Sequence, residues 1–176
     1  LFAHGYSLHG SASVASNALC AGYLWDKIRV QGGAYGAFCS LDAHSGFFSF
    51  GSYRDPNLET TLSIYDQAGA FPRDQPLDTN ELTKSIVGAI GSMDSYQFPD
   101  SMGYTALVCH LTGGTTASLQ QLRDQLLATT PDDILTFAAA LDQVRNHGTT
   151  VVVGDKDAIA KANETLESAL KLTKIL

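Results

Sequence analysis

No apolar run in this 176-residue sequence approaches the ~20 residues that a bilayer-spanning helix needs, so no membrane-spanning helix is expected. Basic residues are scarce as well. Eleven Lys and Arg against 18 Asp and Glu leave a formal charge of -7, which would repel a phosphate backbone over most of the surface and argues against nucleic acid as a partner. Cysteine is limited to Cys20, Cys39 and Cys109. Three thiols so far apart in sequence make no disulfide framework and suit a reducing compartment, where each is expected as a small buried hydrophobe. Internal repeats, charge blocks and low-complexity tracts are missing too.

The familiar catalytic signatures are equally absent. Hydrolytic zinc usually takes three protein ligands, two of them often a helical histidine pair beside a glutamate. Here His4 and His9 are five apart in a glycine-bearing segment, and His44, His110 and His147 stand without a glutamate at motif spacing. All five are expected to be structural or exposed. Ser11 near His9 and Cys39 near His44 offer only sequence proximity. There is no G-x-S-x-G elbow, and "GGAYG" is neither a Walker loop nor G-x-G-x-x-G. Asp132 and Asp133 sit where acids stabilise a helix start, and Asp94 and Asp100 flank a loop. No complete catalytic apparatus can be assembled from this chain.

What is present is a globular composition, 44% hydrophobic and 16% charged, in a length that suits a single domain over 1–176. Residues Ser11 to Arg29 are predicted to be a helix, whose serines and alanines would let it approach a sheet closely. Strand-like runs at Ala34 to Leu41 and Gly46 to Tyr53 flank the turn-prone "DAHS" and predict a hairpin. Asp55 is the expected N-cap of the next helix, with Pro56 at its first position. Asp78 with Glu81, and Thr130 with Asp133, announce two further helices. Helices are also expected near Ser101 to Leu111 and Ala117 to Ala128. "TTVVVG" is predicted as a late strand, followed by a terminal helix capped by Asp155. Strands, then helices, then one more strand point to an α+β fold, an antiparallel or mixed sheet with several helices packed mainly on one face.

The remaining feature is "IRVQGGAYGAF", Ile28 to Phe38. Arg29 brings a permanent charge with several donors, and Tyr35 a phenolic donor beyond two glycines. Together they could polarise a peptide carbonyl and stabilise the oxyanion formed when water attacks it. A helix-end arginine, a glycine turn and a half-buried strand tyrosine would give the same spacing, so both explanations stand on the residues alone.

The wider combination "YLWDKIRVQGGAYGAF" with "SGFFSFGSYRDPNLETTLSIY" resembles the C-terminal part of presequence proteases, within the pitrilysin-type family of zinc metalloproteases that includes insulin-degrading enzyme. The strongest similarity covers Tyr23 to Phe71, and "TTVVVGDKDAI" fits the end of such a domain. The resemblance implies two homologous halves closing around an unfolded peptide, with zinc held by an H-x-x-E-H motif in the first half. Those ligands are missing here. The chain, which starts at Leu1 rather than methionine, is therefore expected to be a C-terminal fragment of a longer multidomain peptidase. By the same resemblance Arg29 and Tyr35 are its catalytic contribution. Gly32 and Gly33 either let the substrate backbone pass or serve only the turn; Tyr53 and Arg54 are family markers without a catalytic role. The implied partners are the N-terminal half and unfolded or targeting peptides. The implied setting is mitochondrial matrix or plastid stroma, with a cytosolic alternative. The competing expectation is a non-catalytic subunit or peptide-binding module of a processing-peptidase-like assembly.

Overall fold

The computed structural model describes residues 1–166 and 168–173. A short 3-10 turn at Phe2–His4 precedes α1 (Ser11–Ala18), which runs directly into a π-helical segment, Leu19–Gln31. β1 (Gly36–Leu41) and β2 (Phe48–Tyr53) pair antiparallel, from Gly36 opposite Tyr53 to Leu41 opposite Phe48. Helices follow: α2 (Leu58–Asp66), α3 (Phe71–Asp74), α4 (Thr79–Met93), α5 (Pro99–Leu111), α6 (Thr116–Leu127), α7 (Pro131–His147) and α8 (Lys156–Ala162). The α+β expectation holds.

Helix starts follow from side-chain chemistry. Four N–H groups at each start lack intrahelical partners. Asp78 accepts from the Glu81 N–H at 2.8 Å while the Glu81 carboxylate takes the Asp78 N–H at 3.0 Å. Thr130 and Asp133 make the same reciprocal pair at α7. Asp155 opens α8 by accepting from the Asp157 and Ala158 N–H groups.

α1 lies at the centre, packed against α4, α6 and α7. Its buried Ala12, Val14, Ala15 and Ala18 leave a thin helix face, so these neighbours approach closely. The small residues thus serve helix packing more than the sheet contact expected from the sequence. Phe137, Leu19, Leu24, Ile28, Leu126 and Val14 are the largest fully buried side chains. The hairpin lays Ala37, Cys39, Leu41, Phe48 and Phe50 on this core, and leaves Phe38 and Tyr53 exposed on its outer face.

Within the π segment, buried Leu19, Tyr23, Leu24 and Ile28 recur every four to five residues. That spacing matches the wider winding of i→i+5 bonding. It also puts Trp25 and Arg29 on one outward stripe, so the predicted helix forms with a different winding in its second half.

Two expectations are corrected. Asp55 is not the N-cap: α2 starts at Leu58 with Asn57 in the cap position. Asp55 instead accepts from the Asn57 N–H at 2.9 Å and the Thr61 hydroxyl at 2.6 Å, bracing the approach to the helix. "TTVVVG" forms no strand, and Val151 and Val153 are 82% and 84% exposed. β-branched propensity reflects packing on a paired, half-buried surface, and among the described residues no strand edge pairs with this segment. The terminal helix is realised over Lys156–Ala162; any continuation onto residues 167 and 174–176 lies outside the described residues.

Candidate functional site

The link between the π segment and β1 is a tight reversal. The Gly32 and Gly33 N–H groups both donate to the Arg29 carbonyl, and the Ala34 N–H donates to Ile28 O at 3.1 Å. Gly33 has φ 76°, a left-handed conformation that disfavours any residue with a Cβ. A Cβ at Gly32 would stand 2.5 Å from the Ile28 carbonyl oxygen. The turn itself therefore requires both glycines. Gly33 is nonetheless exposed, with open space where its side chain would be.

Arg29 and Tyr35 converge across this turn. Arg29 Nε donates to the Tyr35 carbonyl at 3.0 Å, and its guanidinium lies 4.0 Å from the centroid of the Trp25 ring. That contact holds the long side chain in place by cation–π attraction. No salt bridge among the described residues involves Arg29, so its charge is not neutralised by a carboxylate. The Tyr35 side chain is 66% exposed, with its ring edge-on to Tyr53 at 5.9 Å.

The second motif clasps the first. The Tyr35 N–H donates to Tyr53 O at 3.1 Å and to Arg54 O at 3.4 Å. The Asn57 side-chain amide donates to the Gly32 carbonyl. Arg54 has φ 48° and lies 5.8 Å and 5.3 Å from the centroids of the Tyr35 and Tyr53 rings. Thus "SYRDPN" grips "GGAY" from the far side. One guanidinium, of Arg29, meets the Tyr35 carbonyl and a second, of Arg54, lies near its ring, in a molecule whose overall charge is negative.

Gly32 also lines an open groove of ≈ 520 Å³ bounded by Tyr23, Lys27, Gln31, Asn57, Gln67 and Asp74. Its walls mix these polar side chains with Ile64, Ala70 and Phe71. Tyr23 is a fixed wall: burial raises its phenol above the usual range, and the hydroxyl donates to Ile64 O at 3.0 Å.

Other sequence neighbours resolve differently. Ser11 Oγ does meet His9 Nδ1, at 2.8 Å, but Ser11 is only 2% exposed at the start of α1 and no substrate reaches it. Cys39 pairs with Cys20 rather than His44, their sulfurs 2.9 Å apart, and both are half-buried where small buried hydrophobes were expected. Sequence reasoning missed Trp25, Asn57 and the placement of Arg54. For Trp25 the signal was its four-residue spacing from Arg29. The contacts of Asn57 and Arg54 span 25 and 19 positions, respectively, and leave no local pattern. Among the described residues there is no group of three or more His, Cys, Asp or Glu that could hold a metal ion. No helix of the described residues is long and apolar enough to cross a membrane.

Residues 1–156 match the family described as the PreP C-terminal domain, and the chain belongs to that family. Over 176 residues it is 46% identical to Presequence protease 1, chloroplastic/mitochondrial, of Arabidopsis thaliana, an alignment covering 100% of this chain and 16% of that protein. It is 32% identical over 168 residues to Protein HypA of Clostridium perfringens (strain 13 / Type A), covering 96% of this chain and 17% of the relative. With the mitochondrial presequence protease of Emericella nidulans it shares 35% identity over 129 residues, 73% of this chain and 12% of the other. The chain spans about a sixth of the length of the first two relatives.

Proposed function

We propose that this chain is a single domain, the C-terminal domain of a zinc-dependent endopeptidase that degrades short unfolded peptides, targeting peptides among them. Its zinc ligands belong to the N-terminal half of the same polypeptide. This domain contributes Arg29 and Tyr35 to the completed site and is inactive alone. The names of the Arabidopsis and Emericella relatives, a chloroplastic/mitochondrial and a mitochondrial presequence protease, support both the substrate class and a mitochondrial or plastid setting.

The observation that carries this reading is the braced pair itself. Tyr35 is fixed through its N–H and its carbonyl, yet its ring is exposed. A phenol held by its backbone and free at its tip is suited to donate to a carbonyl oxygen as negative charge develops there. Arg29 spends one N–H on the Tyr35 carbonyl and keeps further donors for peptide carbonyls. The exposed Gly33 and the groove beside Gly32 leave room for an extended backbone to pass.

The decisive experiment replaces Tyr35→Phe in the full polypeptide and follows cleavage of an unstructured peptide. Loss of one such donor is expected to lower kcat roughly 100-fold with KM little changed. A folded variant that turns over at the parental rate removes the role assigned to Tyr35. A wild-type full polypeptide that cleaves no peptide with zinc present favours the non-catalytic subunit instead.

A further inference from the structure

Cys20 is the second residue of the π segment, which carries Arg29 in its last turn, and Cys39 lies in β1 four residues after Tyr35. Their sulfurs are 2.9 Å apart, and bond formation asks for a displacement of only about an ångström. The surroundings distinguish the two. Cys20 Sγ accepts the Cys39 N–H at 3.0 Å and lies 3.6 Å from the Cys39 carbonyl, whereas Cys39 Sγ approaches the Ser16 carbonyl at 3.4 Å and can donate to it. Both sulfurs lie near a backbone carbonyl, but the one backbone N–H at this pair is given to Cys20, an arrangement that favours a thiolate at Cys20 and a thiol at Cys39.

We propose that Cys20 and Cys39 form a peroxide-oxidised, thiol-reducible disulfide that staples the π segment to β1 on either side of the Arg29–Tyr35 turn. The Cys20 thiolate attacks one oxygen of hydrogen peroxide; the O–O bond breaks, hydroxide leaves, and Cys20 becomes a sulfenic acid. Cys39 then gives up its proton and attacks the sulfenic sulfur, the S–S bond forms, and the sulfenic oxygen leaves as hydroxide. The two hydroxides take up the two thiol protons, so two thiols and one peroxide become one disulfide and two waters. Each sulfur loses one electron and the peroxide gains two. A dithiol returns the pair by exchange through a mixed disulfide.

Titration agrees with this assignment. The hydrogen bond from the Cys39 thiol, helped by its N–H and opposed by burial, brings Cys20 down to about 7. The same hydrogen bond, then burial, pushes Cys39 up. Any effect of the bridge on peptide turnover rests on the function proposed above. Its formation does not, because the assay reads sulfur chemistry and not cleavage.

The test treats the full polypeptide with hydrogen peroxide, alkylates remaining thiols and maps tryptic peptides. Lys27 and Arg29 separate the two cysteines, so the bridge appears as a linked peptide pair. The pair is expected in the wild type and after Cys109→Ser, to vanish with dithiothreitol, and to fall at least tenfold in Cys20→Ser and Cys39→Ser. Wild-type protein in which both cysteines remain alkylatable, or in which Cys20 proceeds to sulfinic acid unlinked, overturns the proposal. The alkylation of Cys20 in the wild type keeps the test independent of how the variants fold. Alkylation of Cys20 that is lost after peroxide and restored by dithiothreitol supports the pairing, and alkylation that peroxide leaves unchanged overturns it.

Discussion

Arg54 is the one described non-glycine residue with positive φ, 48°, and its carbonyl accepts from the Tyr35 N–H while its guanidinium faces two tyrosine rings. A Cβ in the left-handed region costs roughly 1–2 kcal/mol. Strain retained beside an exposed aromatic cluster is the kind that functional sites store. Arg54→Gly relieves that strain and keeps the backbone acceptor, so the thermal midpoint is expected to hold or rise by a few degrees. The side chain goes with it, and the full polypeptide should lose peptide turnover several-fold. A variant equally active and more stable would mean that the arginine does nothing for the site; a variant that melts well below the parent would mean that the conformation was never costly.

At the scale of elements, the site is a clasp: the π segment supplies Trp25 and Arg29, the glycine turn reverses the chain, and the β2–α2 connection holds the turn through Asn57 and the Arg54 carbonyl. Gly33 separates geometry from substrate passage because only its φ, not crowding, resists a side chain. Gly33→Ala is expected to destabilise the fold by about 1–2 kcal/mol in chemical denaturation. Gly33→Asn should lose less, since asparagine tolerates the left-handed region. If the asparagine variant is nearly as stable as the parent yet degrades peptide slowly, the bare backbone serves the passing peptide; equal turnover would leave the turn as its only duty. Local patterns made the starts of α4, α7 and α8, the hairpin and the Arg29–Tyr35 candidate legible in the sequence, because each arises within a few residues. The π winding was hidden, since a four-to-five-residue spacing overlaps that of an ordinary helix. The Cys20–Cys39 contact and the grip of Asn57 on Gly32 were hidden because they join positions 19 and 25 apart. "TTVVVG" misled for the opposite reason: its composition is local, but a strand is a relation between two segments.

Across the whole molecule, charge placement bounds the pH range of stability. Hydrogen bonds from the His44 and Ser45 N–H groups hold Asp42 below the usual carboxylate range, and hydrogen bonds from Arg123 do so for Asp94. Burial works against ionisation at Asp133, but the hydroxyl and N–H of Thr130 outweigh it and the net shift is downward. Each of these groups binds its proton more readily when unfolded, with an ordinary value near ~3.9, so its contribution is present above that value and is lost as pH falls through the lower folded one. At the alkaline end the sign reverses. Burial, with Asp133 adding repulsion, pushes Tyr6 up to about 12. An unfolded tyrosine ionises near ~10 while the folded one stays neutral, so stability declines as pH rises from that value through about 12. The expected profile is a plateau from about pH 5 to 9 that falls on both sides, read as thermal midpoint against pH. Replacing Asp133→Asn should flatten the acid limb, since it removes a carboxylate whose protonation opposes folding, and should lower the plateau because the Thr130 cap weakens. An acid limb unchanged in steepness would show that the Asp133 cap does not carry acid sensitivity, which then lies with other carboxylates such as Asp42 and Asp94.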